Sequence, residues 1–126
     1  RDKALSVAVD IGTDVVFRGE RQDLDDLLGN LMENAAKWCV SKVRVKAQRQ
    51  DGGILLTVDD DGPGLAPEDR EVAMQRGRRL DETAPGTGLG LSIVKELAEL
   101  YGGSLSLSES DLGGLSARLE LPSAAL

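Results

Sequence analysis

The chain has 126 residues, 40% of them hydrophobic and 29% charged, which is ordinary for a globular protein and leaves room for one hydrophobic core but not two. No apolar run approaches the roughly 18 residues that cross a bilayer, and Arg1-Asp2-Lys3 leads into an alternating pattern instead of a signal peptide. The net charge of −7 disfavours non-specific binding to nucleic acid. A single cysteine, Cys39, excludes an internal disulfide and suits a reducing compartment. Histidine is absent, which removes a Ser-His-Asp triad, a Cys-His pair, a histidine zinc site and a phospho-accepting histidine from this chain. Arg1 in place of an initiator Met fits an excised or processed piece.

In chain order, Leu5, Val7 and Val9 alternate with smaller or polar residues, and Val15-Val16-Phe17 follows Gly12-Thr13-Asp14. This predicts two short strands joined by a turn. From Arg21 to Cys39 the apolar positions Leu24, Leu27, Leu28, Leu31 and Ala35 recur at helical spacing. Gly29 costs that helix on the order of 1 kcal/mol relative to alanine. Val43, Val45 and Ala47 alternate with Arg44, Lys46 and Gln48; Asp51-Gly52-Gly53 supplies a hairpin turn, and Ile54 to Val58 suits a central strand. Residues 59–90 break the regularity, with a short charged helical stretch near Glu68 to Gln75, and a segment this poor in core-forming residues reads as a lid. A second long helix, Leu91 to Tyr101, ends at Gly102-Gly103, and strands at Ser104–Glu109 and Leu115–Leu121 close the chain. The expectation is a two-layer α/β (α+β) sandwich filling residues 1–126 as a single domain. A mixed sheet of about five strands would be covered on one face by about three helices.

Three features carry chemistry. On the first helix, at about 100° per residue, Asn30, Asn34 and Lys37 cluster at the edge of the apolar sector formed by Leu24, Leu27, Leu28, Leu31, Ala35 and Trp38. Amide oxygens ligate hard Mg²⁺ and lysine meets phosphate, although a solvated helix edge would look the same. Asp60-Asp61-Gly62-Pro63-Gly64 follows a strand. Its glycines admit close backbone approach by a planar ligand, and a buried carboxylate accepts from an exocyclic amine; an acidic surface turn is the plainer reading. The closing glutamate of a calcium-binding loop is missing, because Arg70 stands there. Gly86-Thr87-Gly88-Leu89-Gly90-Leu91 opens a helix whose first N–H groups suit a phosphate, with Arg76, Arg78 and Arg79 just upstream. It is neither a Walker A loop nor a Rossmann fingerprint.

In this order and spacing, residues 30–38, 60–64 and 86–91 resemble the N, G1 and G2 boxes of sensor histidine kinases. These boxes belong to the catalytic and ATP-binding (HATPase, Bergerat-fold) domain, in the superfamily that includes gyrase, the heat-shock 90 chaperone and mismatch-repair MutL. Trp38-Cys39, Arg76-Gly77-Arg78-Arg79-Leu80-Asp81 and Leu112-Gly113-Gly114 look most like the PhoQ branch. The resemblance implies that Asn34 ligates Mg²⁺ with Asn30 as a helper one turn earlier, that Lys37 contacts phosphate, and that Trp38 lies against adenine. It further implies that Asp60 accepts the adenine amino group in a pocket shaped by Gly62 and Gly64. Arg79 in the lid would reach the phosphates, and the backbone of Gly86, Thr87, Gly88, Leu89, Gly90 and Leu91 would wrap them. Asn34, Lys37 and Arg79 form the implied catalytic set. The chain departs from the family in two places: Val72-Ala73-Met74 stand where a phenylalanine is common, and Ala84 replaces a basic residue that PhoQ-like lids can carry.

Members of the superfamily that split water carry a glutamate one turn before the metal asparagine, as general base. Here Asn30, an amide, cannot take a proton, whereas an imidazole nucleophile is neutral near pH 7 and needs less help. The expected chemistry is transfer of the γ-phosphoryl group of Mg·ATP to a histidine. With none in this chain, the acceptor lies in a separate dimerisation domain of the same kinase, and a response regulator is the indirect partner. The piece itself is expected to be a monomer without nucleic-acid partners. The whole protein is expected to be a homodimer, with this part on the cytoplasmic side of a bacterial inner membrane. An anti-sigma-factor-type serine kinase and a catalytically inactive nucleotide-binding module are the alternatives.

Overall fold

Strand periodicity in the sequence becomes one five-stranded sheet in the computed structural model, which describes residues 5–17, 19–51, 53–75 and 90–122. The elements run β1 (Ser6–Ile11), α1 (Arg21–Trp38), β2 (Lys42–Gln50), β3 (Gly53–Asp60), α2 (Pro67–Ala73), α3 (Gly90–Leu100), β4 (Ser104–Glu109) and β5 (Leu115–Leu121). In space the strands lie β1-β2-β3-β5-β4. β1 and β2 are parallel and every other pairing is antiparallel. The sheet is therefore mixed, as expected. The parallel pair needs a crossover, and α1 supplies it. The β2–β3 hairpin closes with Gln50 opposite Gly53. Its loop residue Asp51 takes φ 51°, the left-handed conformation that a two-residue hairpin loop requires.

One face of the sheet is buried under the helices. Val43, Val45 and Ala47 of β2, Ile54, Leu56 and Val58 of β3, and Leu115, Ala117, Leu119 and Leu121 of β5 face inward. They meet Leu27, Leu31 and Ala35 of α1 and Leu91, Val94 and Ala98 of α3. Burying side chains of this size contributes about 1.5–3 kcal/mol each before the entropy of ordering them is subtracted. α1 and α3 pack on each other, α1 over β2 and β3, and α3 over β4 and β5. β1 lies at the margin of that cover. Its Val7, Val9 and Ile11 register with Val43, Val45 and Ala47 yet stay exposed, Val9 to 61%.

Val15-Val16-Phe17 does not form the second strand that its composition suggests. After β1 the chain must climb from the sheet to the helical layer, where α1 begins at Arg21. These apolar residues are used as packing on the way: Val15 and Phe17 lie against the core, and the Phe17 ring sits 5.4 Å from that of Tyr101. Tyr101 stands just past the end of α3 and ties it to the start of α1. Its hydroxyl donates to Asp23 at 2.6 Å and accepts the Glu20 N–H at 3.0 Å. α3 ends as the sequence predicts: Gly102 takes φ 79° and the Gly103 N–H donates to the Ala98 carbonyl at 2.8 Å, the glycine-terminated helix end.

Candidate functional site

β3 delivers Asp60 to the helix-covered side of the sheet, where it is 2% exposed. Its Oδ1 accepts the Gly62 N–H at 2.9 Å and the Leu115 N–H, from the first residue of β5, at 3.2 Å. Burial pushes its carboxyl above the usual range; the two backbone donors oppose that shift, and the neighbouring Asp61 and Asp59 add to it. Such a carboxylate is held in one orientation and is poorly solvated. Its surroundings are built from glycine. A Cβ at Gly62 would run into the Trp38 carbonyl, and one at Gly114 into Asp60 Oδ1 and the Gly62 nitrogen. Gly114 also donates its N–H to the Asp60 carbonyl at 3.1 Å, and Gly64 takes φ 71°. Leu112-Gly113-Gly114, read in the sequence only as a mark of the PhoQ branch, thus supports Asp60 through Gly114. Its signal was a glycine pair in a β-turn, which looks like any chain reversal.

Asp61 is engaged by the chain that leaves α1. Its Oδ1 accepts the N–H groups of Val40 at 2.9 Å, Ser41 at 3.1 Å and Lys42 at 3.0 Å. Its own N–H donates to the Lys42 carbonyl at 3.2 Å. The Lys42 N–H first, then those of Ser41 and Val40, hold the carboxyl below its ordinary range. The chain leaving α1 is thereby fastened to the loop that leaves β3.

The edge predicted on α1 is present. Asn30, Asn34, Lys37 and Trp38 are all half-buried, while Glu33 is exposed. Asn30 Nδ2 donates to the Asp26 carbonyl at 2.7 Å, which commits its nitrogen and leaves the oxygen for other uses. That oxygen would be 3.5 Å from a Cβ placed on Gly90, so α3 begins beside Asn30. The Lys37 ammonium lies 5.3 Å from the centre of the Trp38 ring. Leu91 sends its side chain into the core, so only its backbone can serve a ligand. Of Val72-Ala73-Met74, the stretch where a phenylalanine is expected, Met74 is buried, a flexible side chain suited to an irregular gap. Arg79, Gly86, Thr87, Gly88 and Leu89, with the rest of the expected lid, lie outside the described residues.

The fold is that of a histidine-kinase-type ATP-binding domain, and comparison with known proteins gives its lineage. The family described as histidine kinase-, DNA gyrase B-, and HSP90-like ATPase matches residues 19–125, and the chain belongs to it. The sensor protein kinase CarS of Pseudomonas aeruginosa is 50% identical over 103 residues, covering 82% of this chain. The sensor protein PhoQ of Escherichia coli is 39% identical over 119 residues, covering 94%. The chain spans only 23% and 24% of the length of those two relatives. Full-length ShkA, solved in complex with AMPPNP, superposes with a TM-score of 0.80 at 28% identity, covering 94% of this chain and 25% of that one. The domain is thus the catalytic, ATP-binding kind carried by sensor histidine kinases.

Proposed function

We propose that residues 1–126 form one catalytic domain that binds Mg·ATP and donates the γ-phosphoryl group to a histidine on a separate dimerisation domain of the same kinase. The observation that carries this is Asp60: a buried carboxylate, fixed through Oδ1 by two backbone donors, beside glycines that tolerate no side chain. Oδ2 takes neither of those bonds and is the atom we assign to the adenine amino group, with Gly62 and Gly64 against the purine and Trp38 at its margin. A hydrogen bond to a charged acceptor is worth about 1.5–3 kcal/mol.

Asn30 and Asn34 suit Mg²⁺. Their amide oxygens are hard donors that leave most of the coordination sphere to water and phosphate, and the bond from Asn30 Nδ2 to Asp26 leaves its oxygen as the ligating atom. The ion would supply charge neutralisation at the phosphates. Lys37 places a cation on the same edge, and Arg79 adds one from the lid. The backbone from Gly86 to Leu91, of which Gly90 opens α3, would cradle the phosphates at a helix N-terminus. Catalysis is then positioning and electrostatic stabilisation. No base is needed for an imidazole nucleophile, which agrees with an amide at Asn30; a serine acceptor would require one. The intact kinase places this domain at the cytoplasmic side of a bacterial membrane, as a homodimer whose phosphohistidine serves a response regulator.

Mixing the chain with a separately folded histidine hairpin of the same kinase and Mg·ATP should put acid-labile phosphate on the hairpin. No transfer at saturating nucleotide would overturn the reading.

A further inference from the structure

We infer that Asp61 is a positioning residue that sets the span between the purine half of the site and its metal-phosphate half. The inference rests on the nucleotide reading above. Those halves belong to different elements: Asp60, Gly62 and Gly64 sit at the end of β3 and beyond it, while Asn30, Asn34 and Lys37 ride on α1. A ligand that bridges them needs both at a fixed separation. Three consecutive N–H groups, from Val40, Ser41 and Lys42, converge on one oxygen of Asp61. They begin two residues past the last residue of α1. The Ser41 hydroxyl adds a longer contact to the other oxygen at 3.5 Å.

The Asp61 N–H to Lys42 carbonyl bond, 3.2 Å, runs the opposite way across the same junction. Gly62, the next residue, lies directly against the Trp38 carbonyl. Asp61 therefore fastens the chain leaving α1 to the loop that carries Asp60, and its carboxylate oxygen Oδ1 is taken up by that junction. α1 is a continuous helix from Arg21 to Trp38, so a shift at its end carries Lys37 and Asn34 with it. Misplacement by about 1 Å can cost a positioned reaction roughly 100-fold in rate, and a ligand that must touch both halves loses affinity by the same loss of fit. Loss of Asp61 would leave each half formed and spoil their registration.

Two ligands separate this role from a merely structural one. Adenosine uses only the purine half, whereas Mg·AMP-PNP uses both. Calorimetry on the 126-residue chain should give Asp61→Ala an adenosine affinity within about twofold of wild type and a Mg·AMP-PNP affinity at least about tenfold weaker. Asp61→Asn, whose carbonyl oxygen can accept the same N–H groups, should restore most of the loss. If Asp61→Ala does not fold, Asp61→Ser carries the same expectation, because its hydroxyl is too short to collect the donors. Equal losses for both ligands, or no loss for either, would overturn the positioning role. A wild-type chain that binds neither ligand would instead remove the nucleotide reading, and this inference with it.

Discussion

At the scale of single residues, Asp60 carries the most consequence. Its carboxyl is raised chiefly by burial, so keeping it ionised in the folded state costs stability above its folded pKa. That cost is relieved as pH falls through that pKa toward the ordinary value of about 3.9. The ionised form is the stronger acceptor for the adenine amino group. Adenosine, which has no phosphates to titrate, should therefore lose affinity on acidification starting above the ordinary carboxylate range, and Asp60→Asn should flatten that dependence. A wild-type profile that stays level down to pH 4 would contradict the assignment. Asp61 has the opposite sign: its lowered carboxyl contributes stability that is present above the unfolded value and lost as pH falls through the folded one. Gly114 is the third residue of this group. Gly114→Ala should destabilise the fold by about 1–3 kcal/mol through overpacking and weaken adenosine binding, both readable by melting and calorimetry on the same sample.

At the scale of elements, α1 was legible because its period is local. Helical arithmetic placed Asn30, Asn34 and Lys37 on one edge and Leu27, Leu31 and Ala35 inside, and the packing agrees. The same arithmetic marked Gly29 as a weak point. A Cβ there would meet nothing within 4 Å, so Gly29→Ala should stabilise by about 0.8–1 kcal/mol, a rise in melting temperature of roughly 3–5 °C. An unchanged or lower melting point would mean that the position has a role the helix alone does not explain. Val15-Val16-Phe17 shows where local reading fails. Three β-forming residues in a row have the composition of a strand, but their fate is decided by the climb to α1 and by Tyr101, far away in sequence. The supports of Asp60 were hidden for the same reason: the Leu115 N–H that fixes it lies 55 residues away, beyond any periodicity. Asp61 was visible as an acidic loop residue but not as the acceptor for the turn after α1.

At the scale of the whole molecule, the mixed sheet with its helices on one face accounts for how separated stretches of sequence could serve the one site proposed above. β3 brings Asp60 to the covered side, α1 crosses over it as the connection between parallel strands, and α3 begins beside Asn30. No helix among the described residues is long and apolar enough to cross a membrane. Under the proposed phosphotransfer, the absence of histidine means that the acceptor lies outside these 126 residues. The central claim, that Asp60 anchors adenine and the α1 edge meets the metal and phosphates, is tested most directly by calorimetric titration with Mg²⁺ and a non-hydrolysable ATP analogue. Wild type should bind, and folded Asp60→Asn should lose affinity by about tenfold or more. A folded wild-type chain that does not bind, or an Asp60→Asn variant that binds as well as wild type, would contradict it.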